Sequence, residues 1–351
     1  MIQNDWLIYG ANGYTGRILV EQAAKQGHKP VIAGRSPEKI KPLAEQYDLP
    51  YSILDLHDIN ALSEKVADFK LISNFAGPFP LTARPIAEAC LENGINYIDV
   101  SGDLNTIQYI FDLNEKARAK SIVMIPAAGF ITYATECLAH YIAEQIDETK
   151  FIELGVYIIG GTSRGTAIST VDSIKDGCLI RKDHQLIPVK FGKDTKKIPF
   201  PDGRKPAWAV PLAELLTVHK ALTIPDIKVF NVMPHFLHLL RLIAPLIQKT
   251  MKIEVFKRIA KKIAAKQPEG PTREQNLNTK SYLWARAGDK IGNEKQAWLE
   301  TPEAYYFTAL LNIRFAEVIL GSDLKGSITP SEAFGKDLIF DFEKVKIMDE
   351  I

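Results

Sequence analysis

DWLIYGANGYTGRILVEQAAKQG, residues 5–27, decides the fold. Asp5–Gly10 is a short apolar run that stops on glycine, and Thr15–Gly27 has the spacing of a helix that ends on Gly27. Between them GANGYTG sets Gly10, Gly13 and Gly16 at a strand-to-helix turn. Gly10 turns the chain sharply, Gly13 lets backbone N–H groups approach a diphosphate, and Gly16 lets the helix pack closely on its strand. The diphosphate would lie on the positive end of the helix dipole. The spacing is GxxGxxG rather than GxGxxG, because position 12 is Asn. A glycine pattern alone is weak; its position inside a βαβ unit gives it meaning.

The same rhythm runs outward from this stretch. PVIAG (Pro30–Gly34), YSIL (Tyr51–Leu54), KLISNF (Lys70–Phe75), NYIDV (Asn96–Val100) and SIVMIP (Ser121–Pro126) read as further strands separated by helical stretches. Ser36-Pro37-Glu38 starts one of those helices with proline in its first position. Strands apolar on both faces and alternating with helices imply a parallel sheet covered on both sides. Residues 1–130 are therefore expected to form a Rossmann-type doubly wound α/β domain.

After Pro126 the pattern changes. A helix is expected from about Tyr133 to Gln145, and FIELGVYIIGG and RGTAISTVDSI both read as β-rich runs. Lys190–Pro211 reads as a long loop or hairpin, and Phe236–Lys266 as a helical block. SYLWARA and KQAWLET flank GDKIGN like a hairpin, and a helix is expected from Pro302 to Leu320. Residues 131–351 are expected to be a second α+β domain with a mixed sheet, serving substrate binding and a homodimer.

Composition excludes more than it identifies. The 351 residues exceed what one hydrophobic core supports, so two domains are the expectation. With 46% apolar and 24% charged residues the chain is not of the disordered class. Lys and Arg number 43 against 42 Asp and Glu, a balance that gives no basic footprint for nucleic acid. Cys90, Cys137 and Cys178 form no CxxC pair, which argues against a disulfide framework or structural zinc and fits a reducing cytosol. No basic n-region with a long apolar h-region follows Met1, so no secretory signal is expected. The uncharged stretch Val229–Leu240 has 12 residues, too few to span a bilayer. A cytoplasmic location follows as the expectation.

The end of the second strand selects the cofactor. NAD sites place Asp or Glu there for the ribose 2′-hydroxyl, whereas this chain has Gly34-Arg35-Ser36. A guanidinium donates two hydrogen bonds to a phosphate, so NADP(H) is favoured over NAD(H). Ligands bind beyond the carboxyl ends of parallel strands, which brings in Asn74, Ala76, Gly77 and Pro78 after the fourth strand and Ser101 and Gly102 after the fifth. Asp55, after the third strand, either lies near the adenine or caps the next helix.

GANGYTGRILVE, AGRSPEKI, NFAGPF and YIDVSGD, in this order and spacing, resemble the saccharopine dehydrogenase-like oxidoreductases. Within that family the resemblance is to the branch that includes trans-acting enoyl reductases. AAGF at 127–130, SRGTAISTVDSI at 163–174 and TPSEAFG at 329–335 agree with it. The resemblance implies an NADP-binding domain followed by an α/β domain that closes over the cofactor. It supports Gly10, Asn12, Gly13, Tyr14, Thr15, Gly16, Arg35, Ala76, Gly77 and Pro78 as cofactor contacts. It also implies hydride transfer to C=C or C=O of a lipid-like or polyketide-like acyl substrate. After AAGF, where relatives commonly continue with an Asp-Ser-Ile-Pro-like turn, this chain has Ile131-Thr132-Tyr133-Ala134. The second half lacks the basic clustering that a dicarboxylic amino acid would want. A secondary-amine dehydrogenase of the saccharopine type is thus the alternative, and a non-catalytic NADP-binding sensor or tether is the third reading.

Hydride transfer is the cofactor's chemistry, and the protein supplies orientation and a proton. Asp103, Arg164 and Tyr133 are the catalytic candidates, with Tyr97 also near the strand ends. Asp103 serves either as acid–base or as a helix cap, and Arg164 either polarises a carbonyl or makes a structural ion pair. His235 and His238 are three apart in HFLH, but no Cys, Asp or Glu stands nearby, so no metal is expected. Arg241–Lys266 holds eight Lys/Arg and one Glu with apolar residues at near-helical spacing, broken or kinked at Pro245. It is either a solvated helix pair or a surface for anionic lipid or an acyl-carrier protein.

Overall fold

Apolar runs of four residues at Trp6–Tyr9 (β1) and Val31–Gly34 (β2) are buried at every position, as strands inside a doubly covered sheet must be. The computed structural model describes residues 1–174, 177–234 and 243–351. Helix α1 (Tyr14–Lys25) follows β1, and α2 (Pro37–Tyr47) follows β2 with Pro37 in its first turn. Then come β3 (Tyr51–Ile53), α3 (Ile59–Val66), β4 (Leu71–Asn74), α4 (Phe79–Asn93) and β5 (Asn96–Asp99). Helices α5 (Leu104–Asp112) and α6 (Asn114–Ala119) lead to β6 (Val123–Ile125).

The chain divides into two compact units, Met1–Phe130 with Tyr305–Phe334, and Ile131–Ala304 with Gly335–Ile351. In the first, seven parallel strands run in the order β15-β6-β5-β4-β1-β2-β3, where β15 is Gly326–Ser327. The strand order reverses between β1 and β4, the crevice where doubly wound sheets bind ligands. Trp6, fully buried, donates its indole N–H to Ser73 Oγ across β1 and β4 at 2.9 Å.

Residues 305–334 were expected in the second domain, and the structure returns them to the first unit. Helix α13 (Ala304–Leu320) is apolar on nearly every side, with Phe307, Leu311, Phe315 and Ile319 buried, the pattern of a helix enclosed by other layers. Its polar side chains are spent locally. Thr308 Oγ1 accepts from Phe130 N at 3.1 Å, and Asn312 Nδ2 donates to Ala128 O at 2.9 Å, which pins the turn after β6.

The second unit is built on a mixed nine-stranded sheet in the order β10-β11-β12-β7-β13-β14-β16, with a β8–β9 hairpin paired to β12. These strands are β7 (Phe151–Ile158), β8 (Cys178–Lys182), β9 (Gln185–Val189), β10 (Thr195–Phe200), β11 (Gly203–Ala209), β12 (Asp226–Val232), β13 (Lys280–Gly288), β14 (Glu294–Pro302) and β16 (Lys346–Met348). Only β12 and β7 pair in parallel. The expected β13–β14 hairpin is present; Asp289 Oδ1 accepts from Ile291, Gly292 and Asn293 N in its turn. Lys190–Pro211 holds the β10–β11 hairpin. Helices α7 (Phe130–Ala143), α9 (Glu214–Leu222), α12 (Arg273–Asn278) and α14 (Pro330–Phe334, in the first unit) complete the inventory with those below.

One expectation is corrected here. RGTAISTVDSI, read as β-rich, is helix α8 (Arg164–Ile174). Its β-branched residues favour a strand, but Ser163 Oγ accepts from Thr166 N at its start and Asp172 is gripped by lysines of a later helix, so tertiary context overrides propensity. Pro245 stands at the start of a helix in the basic block. It sits in the first turn of α10 (Ala244–Met251), where its missing N–H is not needed, and α11 (Glu254–Ala264) follows separately. The start of that block, residues 235–242 with His235 and His238, lies outside the described residues.

Candidate functional site

The glycine loop folds as its spacing demands. Gly10 has φ +81°, and a Cβ there would stand 2.6 Å from Ala76 N, so only glycine allows β1 to meet the turn after β4 this closely. A Cβ on Gly16 would stand 2.3 Å from Gly10 O, which fixes how near α1 comes to β1. The loop is held by Gly13 N donating to Gly10 O at 2.9 Å and Gly10 N donating to Ala33 O at 2.9 Å. Gly13 caps α1 and has no side chain to bond the first turn, and no acid stands in that turn. Asn12, Gly13, Tyr14 and Thr15 are half-buried, so this helix start is open to an anion.

Arg35 stands exposed at the end of β2, with Ser36 half-buried beside it. A Cβ on Gly34 would stand 2.8 Å from Asn12 Oδ1, so Gly34 makes room for the Asn12 side chain next to Arg35. Burial pushes the Tyr9 hydroxyl pKa up, while the Arg35 charge pulls it down and the Asp55 charge pushes it up. The ends of β1, β2 and β3 thus share one electrostatic neighbourhood. Asp55 Oδ1 accepts from His57 N at 3.0 Å, and the cap of α3 is Asp58, which accepts from Ala61 N at 3.0 Å. Of the two roles open to Asp55, capping α3 therefore falls to its neighbour. An open depression of about 450 Å³ lies beside it, lined by Asp55, His57, Asp58, Ile59 and Asn60.

The ends of β4, β5 and β6 are stitched together by buried polar groups. Asn74 Oδ1 accepts from Ala76 N at 3.0 Å, and its Nδ2 donates to Thr82 Oγ1 and Tyr97 Oη. Tyr97 Oη donates to Asp99 Oδ2 at 2.7 Å, and Asp99 Oδ1 accepts from Ser101 N and Ala127 N at 2.8 and 2.9 Å. Burial holds the Asp99 carboxyl above its usual range against those bonds, and holds the Tyr97 hydroxyl well above its own. Asn74 and Tyr97, expected near ligand, are fully buried braces; Ala76, Gly77, Pro78 and Gly102 are the accessible residues there.

The catalytic candidates are each engaged locally. Asp103 caps α5, its Oδ1 accepting from Thr106 N at 2.9 Å. Tyr133 is fully buried, donates to Gly335 O at 2.9 Å, and is held far above its ordinary pKa by burial. Arg164 Nε donates to Gln267 O at 2.9 Å and its backbone N–H to Glu269 O, tying α8 to that loop. Asp103 belongs to the first unit, Tyr133 and Arg164 to the second. Among the described residues no group of three or more His, Cys, Asp and Glu is placed to hold a metal. Sequence reasoning missed Tyr305, whose ring meets Tyr14 edge-on at 5.2 Å, because nothing local ties the start of α13 to the glycine loop.

A backbone cradle that any Cβ would fill, an uncapped helix start and a guanidinium at the end of β2 fit a dinucleotide with a 2′-phosphate. Residues 6–125 match the family model of the saccharopine dehydrogenase NADP binding domain. The match lies within the first unit and supports NADP(H) as its cofactor. The chain is also similar to saccharopine dehydrogenase-like oxidoreductases. The mouse protein of that description is 26% identical over 163 residues, 41% of this chain and 38% of its own length. A trans-acting enoyl reductase of Mycobacterium leprae (strain TN) is 25% identical over 158 residues, 43% of this chain and 38% of its own. The matched stretch thus spans under two fifths of these relatives. Apo histidine-tagged saccharopine dehydrogenase (L-Glu forming) from Saccharomyces cerevisiae aligns with TM-score 0.65 over 99% of this chain and 100% of that one at 10% identity, which shows a shared fold.

Proposed function

We propose that the chain is an NADP(H)-dependent oxidoreductase that transfers hydride to C=C or C=O of an apolar acyl substrate. The observation that carries the cofactor half is the clearance at Gly10 together with the exposed Arg35 at the end of β2. The substrate half is supported by the similarity to the mycobacterial enoyl reductase.

In this proposal the N–H groups of Tyr14, Thr15 and Gly16 receive the diphosphate on the dipole of α1, while Gly13 N–H stays on Gly10 O. Arg35 and Ser36 hold the 2′-phosphate, with Asn12 beside them, and Asp55 faces the adenine end. Ala76-Gly77-Pro78 and Gly102 border the nicotinamide ribose, where small residues leave room, and Ser101, buried behind them, braces Asp99. NADPH, when bound, supplies the hydride. Asp103 uses Oδ1 as a cap and keeps Oδ2 for proton transfer. Tyr133 and Arg164 serve by position: one closes a turn onto Gly335, the other fastens the loop after α11.

The test is NADPH oxidation with a panel of enoyl thioesters, ketones and imines, alongside NADPH and NADH affinities. Consumption of NADPH with an enoyl thioester or ketone supports the proposal. Turnover confined to a secondary amine or imine would replace it with the amine-dehydrogenase reading. Tight NADPH binding with no turnover on any of them would leave a sensor.

A further inference from the structure

Helix α11 is amphipathic, yet its polarity is inverted relative to the protein beneath it. At 100° per residue, Val255, Phe256, Ile259 and Ile263 fall within an arc of about 100°. These four are 48% to 63% exposed. The opposite side faces helix α8 and is held by charge. Lys257 and Lys261 reach Asp172 at 3.2 and 2.7 Å, and Ala264 is buried beside them. An ordinary surface helix buries its apolar stripe and solvates its lysines; here two lysines face in and the stripe faces out. Leu246 and Ile253 add 61% and 51% exposed apolar side chains on the approach to it.

The stripe is rimmed by like charge. Arg258 and Lys262 line one edge of it, and Lys252 and Lys266 stand at its two ends, all exposed. We propose that this outer face of α11 lies in the surface of an anionic lipid bilayer, the apolar stripe entering the acyl boundary and the cations meeting headgroup phosphates. The inference is independent of the proposed reaction. A convex single-helix stripe needs no shaped partner, and a bilayer offers apolar depth with anionic charge on both sides of it. A two-fold dimer across the same face would press its basic rim against itself. Among the described residues no helix is long and apolar enough to cross a membrane, so the contact is peripheral.

The experiment is co-sedimentation of the full chain with vesicles of phosphatidylcholine alone and with phosphatidylglycerol added, at low and high salt. Binding to the anionic vesicles alone, weakened by salt, is expected. The double variant Phe256→Ser/Ile259→Ser changes only exposed positions and should bind about tenfold more weakly or less, with unchanged melting temperature and NADPH affinity. Arg258→Glu/Lys262→Glu should lose about tenfold or more through charge alone. No binding to anionic vesicles at low salt overturns the proposal, as does undiminished binding of the serine variant. A concentration-dependent dimer that the serine variant dissociates, with vesicles ignored, would give the face to a second copy. Salt-sensitive binding to an acidic acyl-carrier protein without vesicle binding would give it to that partner.

Discussion

Glu214 opens α9 in the second unit and is fully buried. Its Oε1 lies 3.1 Å from Thr135 Oγ1, and its Oε2 has no hydrogen-bond partner among the described residues. The Thr135 hydroxyl has one proton to give, and Ile131 O at 2.6 Å and Thr132 O at 3.0 Å compete for it. If that proton goes to a backbone carbonyl, the Thr135–Glu214 bond needs a proton from the carboxyl, so the neutral acid fits the site. Burial accordingly pushes the Glu214 pKa up from 4.5 to about 7, against the opposing pull of its own backbone N–H and Thr135. An acid with a raised native pKa keeps its proton longer in the folded state than in the unfolded one. Stability is therefore full below about pH 4.5, falls as pH rises to about 7, and is lowered by about 3 kcal/mol beyond it. Glu214→Gln mimics the neutral acid and should remove this dependence. Melting temperatures measured from pH 4 to pH 9 should nearly coincide for the two proteins at the acid end, with the variant about 6–12 °C higher at the alkaline end. A gap that does not change with pH, or a variant that melts lower at alkaline pH, would refute the neutral buried acid.

Arg35→Asp should weaken NADPH binding by about 10- to 100-fold, the loss of a charge-assisted phosphate contact, and leave NADH within a few-fold in a fluorescence titration. Equal losses for both cofactors reject the 2′-phosphate assignment. Gly10→Ala forces a Cβ to 2.6 Å from Ala76 N at a backbone angle that disfavours side chains, so calorimetry should show a loss of about 2 kcal/mol or more with NADPH affinity reduced alongside. An alanine variant that melts and binds like wild type would mean that β1 and β4 are not this close. Asp103→Ala should cost about 1 kcal/mol as a lost cap, whereas Asp103→Asn keeps the cap and melts like wild type. If the asparagine variant also loses about 100-fold or more in kcat, the carboxyl moves a proton; an unchanged kcat restricts Asp103 to capping.

How much of this was legible depends on how far apart the deciding atoms lie in the chain. The β1–loop–α1 unit and the strand ends at Arg35 and Ala76 could be read because the constraint is local: three glycines, a strand and a helix within residues 5–27 leave few conformations open. Helix α8 was misread because its Thr, Ile and Val content speaks for a strand, and what overrides it is Asp172 meeting Lys257 and Lys261 far along the chain. The return of α13 to the first unit was invisible for the same reason. Its apolar character announces burial without saying under which sheet, and the address comes from Thr308 meeting Phe130 N, Asn312 reaching Ala128 O and Tyr305 reaching Tyr14. The basic block shows the limit most sharply. Its period gave a helix with an apolar side, and the default inference is that the apolar side faces the core. Periodicity defines a face but carries no sign for its direction. In α11 Lys257 and Lys261 turn toward the half-buried Asp172 of α8, and Phe256 and Ile259 stand on the outside. Asp172→Ala removes the carboxylate that both lysines meet and should lower the melting temperature slightly, the loss shrinking in high salt.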